Sequence, residues 1–451
     1  MSETTSTIHC SFCGIQKSPT TPLIAGNNGH ICEACVKLAY QVVDSWGRKK
    51  HSSEMALQLK KPKELFQYLD EYVIGQNEAK ETLSVAIYNH YIRLLHQSSG
   101  SETSLTDGGV ELEKSNVIMS GPSGTGKTLL VKTLAKVIGV PFVVADATTL
   151  TQAGYVGDDV DSILQRLLES AENDVHKAEW GIVYIDEIDK LARTGTSSVA
   201  VRDVSGEGVQ QSLLKMVEGS QVKLNKGDKR RGSGEEVLID TTNILFIVGG
   251  AFPGLEKIVS ERVQPARRGI GFHAPEPLAK ASDEKIQENY KMIQPEDFQE
   301  FGLIPEFIGR FPIITFLEEL DVEALLRILQ GPKNALVKQY CKLFEYQGVK
   351  LEFTEAALTK IAQKALDRGT GARGLRGIME SILRKTMFEL PSKSGIATCV
   401  VDEQAVIDAG EFIVSEILGT NLSSDPEQTY SGHDSEQQLE GADAQTVVHA
   451  N

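Results

Sequence analysis

The eight residues Gly121, Pro122, Ser123, Gly124, Thr125, Gly126, Lys127 and Thr128 spell G-x-x-x-x-G-K-T, the loop that cradles the phosphates of a nucleoside triphosphate. Such a loop works only between a strand and a helix, so it fixes the fold around it. The preceding Asn116-Val117-Ile118-Met119-Ser120 is a short apolar run and predicts a buried strand. Residues 129–138 carry apolar side chains at helical spacing and predict a helix. Glycines let backbone N–H groups approach phosphate without a Cβ in the way. The helix start adds unpaired N–H groups and the positive end of its dipole. Lys127 is placed to reach the β and γ phosphates, and the Thr128 hydroxyl to ligate Mg²⁺.

Apolar segments at 141–145, 181–185 and 243–248 alternate with helical patterns after the loop. Strands interleaved with helices predict a parallel sheet covered on both faces. The segment 181–185 ends in Asp186 and Glu187. Ligands of such sheets lie at the carboxyl ends of the strands. Asp186 is therefore expected beside Thr128, holding Mg²⁺ or its water shell, and Glu187 is expected to polarise the attacking water. Asp189, just beyond, reads as structural. Upstream, a helix is expected from Pro62 to about Tyr72, then a turn at Val73, Ile74, Gly75 and Gln76. Asn77 is placed to cap a second helix reaching Leu95. After Arg310 the alternation fades. Residues 321–345, 354–367 and 371–389 read as helices, with short strands near 349–353 and 397–401. This predicts a smaller, mostly helical domain at the end of the nucleotide domain.

At 451 residues the chain is long enough for two or three domains. The expected boundaries are a metal module at 1–46, a basic linker at 47–61, a large nucleotide domain at 62–317, a small domain at 318–410 and an acidic, disordered tail at 411–451. Cys10, Cys13, Cys32 and Cys35 form two C-x2-C pairs eighteen residues apart, the spacing of a four-thiolate zinc site with no open position, hence structural. Cys341 and Cys399 stand alone and read as buried thiols. The net charge is −16, and six of the acidic residues fall in 421–451, which carries no Lys or Arg. The remaining −10 argues against broad binding of nucleic acid. No apolar run approaches the roughly 18 residues of a membrane span. Residues 1–9 are polar, carry Glu3 and lack Arg, which fits neither a secretory signal nor a transit peptide. A cytoplasmic location is expected.

Phosphoryl transfer also needs positive charge on its transition state, which an arginine supplies. Two candidates stand beside glycines: Arg310, ending Ile304-Pro305-Glu306-Phe307-Ile308-Gly309-Arg310, and Arg373, in Gly371-Ala372-Arg373-Gly374-Leu375-Arg376. Tyr155 and Val156 lie between Gly154 and Gly157, and Ile270, Gly271 and Phe272 interrupt a polar stretch. Taken alone, Tyr155 and Val156 read as a surface turn with a packed Tyr, whereas Ile270 and Phe272 read either as a small internal anchor or as apolar groups that a partner buries. Lys226 to Gly232 is basic in an acidic chain and suits an anionic group.

The ordered set of motifs resembles the ClpX family of AAA+ unfoldases, which feed a barrel-shaped serine peptidase. It runs from the four cysteines through Leu69 to Gln76, GPSGTGKT, GYVG, IDEIDK (185–190), VSGEGVQQ (204–211), the Ile270–Phe272 tripeptide, IPEFIGR and GARGLR, covering about residues 8 to 408. The resemblance implies an AAA+ P-loop sheet, a small helical domain and a zinc module. It implies a homo-hexameric ring with ATP between subunits, Arg310 acting in trans as the finger and Arg373 in cis as a second sensor. Val73 and Ile74 would border the adenine, and Leu129 would complete the nucleotide-contacting set. Tyr155 and Val156 would line the axial pore, and residues 202–206 would form a second pore loop. Ile270, Gly271 and Phe272 would dock on a ClpP-like serine peptidase. The zinc module would dimerise and receive adaptors or tagged and unfolded substrates. The pore-entrance loop reads Lys229-Arg230-Arg231 where the family has Arg-Lys-His, so its charge is kept without a histidine. The other class compatible with these motifs is a zinc-ribbon ATPase that remodels nucleic-acid complexes.

Overall fold

The computed structural model describes residues 8–18, 21–39, 59–98, 112–151, 158–193, 206–226, 235–263, 291–392, 396–408 and 416–417. Near the amino terminus, strands β1 (Leu23–Ala25) and β2 (His30–Cys32) pair antiparallel, and helix α1 (33–39) follows directly. Helices α2 (Pro62–Asp70) and α3 (Asn77–Ser98) come next. Asn77 is the first residue of α3 rather than its cap; Gln76 precedes it with φ +58°.

The alternating pattern then builds β3 (Val117–Ser120), α4 (Lys127–Ile138), β4 (Phe142–Asp146), the short pair β5 (Leu150–Thr151) and β6 (Asp158–Asp159), α5 (Asp161–Ser170), α6 (Val175–Ala178) and β7 (Ile182–Asp186). Helix α7 (Glu207–Glu218) leads into the hairpin β8 (Gln221–Lys226) and β9 (Glu235–Asp240). After it come β10 (Leu245–Gly250), α8 (Leu255–Val263), α9 (Pro295–Phe301), α10 (Pro305–Ile308) and β11 (Ile313–Phe316). Five of these strands form one parallel sheet in the order β11-β3-β10-β7-β4. The expected strands are thus neighbours, and β11 extends the sheet beyond them on the β3 side.

Alternation along the strands sends Val117, Met119, Ile182, Tyr184, Leu245 and Ile247 to one face and Ile118, Val183, Ile185, Phe246 and Val248 to the other. The first face packs on α2, α3 and α4 through Leu65, Leu69, Leu83, Ile87, Leu130 and Leu134. The second packs on α5, α7 and the 298–311 segment. Both faces are covered, which explains why the strands read as continuous apolar runs.

A third core belongs to a small domain of α11 (Val322–Gln330), α12 (Leu336–Glu345), β12 (Lys350–Phe353), α13 (Glu355–Asp367), α14 (Gly371–Glu389), β13 (Ile396–Val401), α15 (Glu403–Ile407) and β14 (Glu416–Ile417). The helix expected over 321–345 is two helices, because Gly331 and Pro332 interrupt it; proline has no N–H to continue the ladder. Strands β12 and β13 pair in parallel, Leu351 opposite Cys399.

Candidate active site and metal centre

The phosphate loop occupies the carboxyl edge of β3 and runs into α4. Gly121, Gly124 and Gly126 have φ of +154°, +82° and +105°, conformations that favour glycine. Two of the three are also crowded. A Cβ on Gly121 would lie 2.7 Å from the Leu317 carbonyl, and one on Gly124 would lie 2.8 Å from the Thr370 carbonyl of the small domain. Gly126 faces Val73, whose Cγ1 is 3.9 Å from where its Cβ would be. Ile74 in turn approaches Gly331. The 73–74 turn therefore lies between the loop and the small domain.

Lys127 is buried and donates to the carbonyls of Gly121 and Pro122. Burial lowers its ammonium to about 8, with Asp186 pulling the other way. Thr128 Oγ1 donates to Asp186 Oδ2 at 2.9 Å. The other carboxylate oxygen accepts from the Tyr184 phenol at 3.1 Å and the Glu187 N–H at 3.0 Å. Glu187 itself has φ +57°, a left-handed backbone that costs a side-chain-bearing residue about 1–3 kcal/mol. Strain of this kind collects where chemistry fixes a side chain. Asp189 is buried and accepts from the Ala251 N–H at 3.1 Å, a structural bond. From the small domain, Arg373 Nη1 donates to Ser123 Oγ at 3.1 Å, and its Nη2 lies 3.9 Å from Asp186 Oδ2. One threonine hydroxyl and one carboxylate in contact form the hard-oxygen donor set that suits Mg²⁺.

In the amino-terminal module the Sγ atoms of Cys10, Cys13, Cys32 and Cys35 all lie within 4.8 Å of one another, and none is in a disulfide. Cys13 and Cys32 are 3.6 Å apart. Four bonds of about 2.3 Å around a tetrahedral zinc put sulfurs roughly 3.8 Å apart, so the cluster fits that ion. Burial opposes ionisation of Cys10, but the N–H groups of Cys13, Phe12 and Cys32 outweigh it and bring this thiol down to about 6. Hydrogen bonding with Cys13, then burial, pushes Cys35 up to about 12. Crowded thiols that cannot all ionise alone are the setting a divalent cation relieves.

Comparison with known proteins agrees with this layout. Residues 8–45 match the ClpX C4-type zinc finger, 112–314 the AAA domain (Cdc48 subfamily), and 320–401 the C-terminal, D2-small domain, of ClpB protein. The chain is 60% identical over 416 residues to the ATP-dependent Clp protease ATP-binding subunit ClpX of Azotobacter vinelandii, covering 92% of this chain and 93% of that protein. The chain belongs to the ClpX family. Identity to ClpX 3 of Methylococcus capsulatus is 59% over 409 residues, 89% of this chain and 92% of that one. The ClpX of Bacteroides thetaiotaomicron is 48% identical over 393 residues, 85% and 92% of the two chains. As a ClpX-family member the chain is a Clp-type AAA ATPase of the chaperone and unfoldase class, with a four-cysteine zinc module.

Arg310 stands apart from the other site candidates. Asn116, just before β3, donates from Nδ2 to the Arg310 carbonyl at 2.9 Å and accepts from the Phe246 N–H at 3.1 Å. The finger candidate is thus anchored at the amino-terminal edge of the sheet, across β3 from the phosphate loop. Its guanidinium pairs with Glu218. Tyr155, Val156, Ile270, Gly271, Phe272, residues 202–205 and Lys229 to Arg231 lie outside the described residues. A surface cleft lined by Asp159, Asp161, Lys215, Glu218 and Lys223 shares no residue with the phosphate loop.

Two contributors escaped sequence reasoning. Tyr184 puts a phenol on Asp186 from inside the sheet; its one signal is an aromatic two residues before a carboxylate, on the same strand face. Gln76 pairs with the Glu318 backbone in both directions, Nε2 to the carbonyl at 2.9 Å and Oε1 from the N–H at 2.8 Å. A partner 242 residues away leaves no local signal.

Proposed function

We propose that this chain is the ATP-driven motor of a two-component protease. Six copies form a ring that takes tagged or unfolded polypeptides and adaptors, pulls them through an axial pore and delivers them to a ClpP-like serine peptidase in the cytoplasm. It also acts as an ATP-dependent chaperone and is not itself a peptidase. The observation that carries this reading is a separation: Thr128, Asp186, Glu187 and Arg373 converge on the phosphate loop, while Arg310 is held at the opposite edge of the sheet. The four residues of β3 between them span about 13 Å. That separation disfavours Arg310 as a residue acting on its own nucleotide and supports ATP shared between neighbouring subunits.

On this reading the 121–128 backbone, Lys127 and Leu129 hold the triphosphate, and Val73 and Ile74 border the adenine. Thr128 and Asp186 hold Mg²⁺, which when bound neutralises phosphate charge. Glu187 orients and polarises the attacking water. Arg373 contacts the phosphates in cis and Arg310 in trans. Tyr155 and Val156 grip the substrate, and Ile270, Gly271 and Phe272 dock on the peptidase. Cys10, Cys13, Cys32 and Cys35 hold structural Zn²⁺ in a module that receives substrates.

The test follows fluorescence of a tagged, stable fluorescent protein. ATP is expected to abolish it only in the presence of this chain, and added peptidase to convert the product to peptides. Glu187→Gln should keep ATP binding and lose turnover; near-normal hydrolysis by that variant sinks the assignment. Phe272→Ala should keep hydrolysis and unfolding but lose coupled proteolysis. Stimulation of the ATPase by DNA instead of by tagged protein would favour the nucleic-acid class.

A further inference from the structure

We propose that Gln210 and Glu218, both on α7, are positioning residues for Arg310, and that α7 registers the finger against the chain's own 186–191 segment. The proposal rests on the reading of Arg310 as a finger in trans. Gln210 is fully buried. Its Nε2 donates to the Leu191 carbonyl at 2.7 Å, and its Oε1 accepts from the Ile304 N–H at 2.8 Å. One amide thereby joins the turn that follows Asp186 and Glu187 to the start of the segment ending in Arg310. Both bonds are buried, so neither backbone group has water as an alternative partner.

The same two segments meet the start of α7. Arg193 pairs with Glu207 at 2.5 Å, and its N–H donates to the Gly302 carbonyl at 3.1 Å. At the other end of the helix, Glu218 Oε1 accepts from both Nε and Nη2 of Arg310, at 3.0 and 2.6 Å. Two donors on one oxygen fix the guanidinium plane as well as its place. The two side chains are 53% and 39% exposed, so the pair adds little to folding stability and leaves the guanidinium open to an incoming phosphate. Helix α7 is twelve residues long and about 18 Å from end to end, a rigid rod between the two anchors. A displacement of the 186–191 segment on hydrolysis thus reaches the finger offered to the next subunit through Gln210, α7 and Glu218.

The experiment mixes two full-length variants that are each inactive, Arg310→Ala and Glu187→Gln. Interfaces pairing the finger of the second with the pocket of the first are intact, so mixed rings are expected to recover ATPase activity. Adding Glu218→Ala to the Glu187→Gln subunit, the finger donor, should cut that recovery roughly tenfold. The same change in the Arg310→Ala subunit should leave recovery unaltered. Gln210→Met, close in volume, should show the same donor-specific loss. Its circular dichroism and binding of a fluorescent ATP analogue should match wild type. No recovery in the starting mixture overturns the trans reading and the proposal with it. Recovery that ignores Glu218→Ala in the donor, or responds equally in either subunit, overturns the positioning role alone.

Discussion

Lys127 shows how one residue's surroundings become measurable. Burial holds its ammonium at about 8 in the nucleotide-free chain. Arriving phosphates favour the charged form and raise that value. Nucleotide binding is therefore expected to take up a proton above about pH 8 and almost none near pH 6.5. Calorimetry in buffers of different ionisation enthalpy measures the uptake, and a value that ignores pH refutes the assignment. Tyr184 gives a second test. A Cβ on Gly249 would lie 2.1 Å from its phenolic oxygen, so Gly249→Ala should destabilise by about 1–3 kcal/mol, seen as a lower melting temperature. Removing the hydroxyl with Tyr184→Phe should shrink that penalty. Lys127 was legible because its motif is local; Gly249 was not, because what crowds it comes from the neighbouring strand.

Among elements, the loop and its flanking strand and helix were legible because a single continuous segment specifies all three. Helix α11 and its successor were merged because their apolar periodicity runs on, whereas Pro332 decides the break. Strand β11 was missed since four residues after Arg310 carry too little pattern to separate a strand from a loop. The loop makes its own prediction. Gly124 combines φ +82° with a Thr370 carbonyl 2.8 Å from any added Cβ. Gly124→Ala should weaken nucleotide binding about tenfold and leave the far side of the sheet undisturbed. Titration with a fluorescent ATP analogue measures it, and wild-type affinity would mean that the loop and the small domain are not in register.

Across the whole molecule, the described residues form three hydrophobic cores, two on the faces of the sheet and one in the small domain. None includes a residue of the 8–39 segment. Chelation of zinc is therefore expected to unfold the amino-terminal module and spare basal ATPase activity. Near-complete loss of hydrolysis on chelation, reversed by zinc, would contradict that independence. Ring assembly, the pore and the docking tripeptide were read from ordered motifs, not from packing, because one chain contains only half of any interface.

The two larger bodies change hands over a very short stretch. Leu317 is buried in the core of the sheet and Leu320 in that of the small domain. Of the two residues between them, Glu318 has both backbone polar groups gripped by Gln76. The fulcrum of any swing between the bodies is thereby confined to about one peptide unit, around Glu319. The lever arm on either side begins almost at once. A small torsional change there, made beside the turn that carries Val73 and Ile74, is magnified across the full width of the small domain.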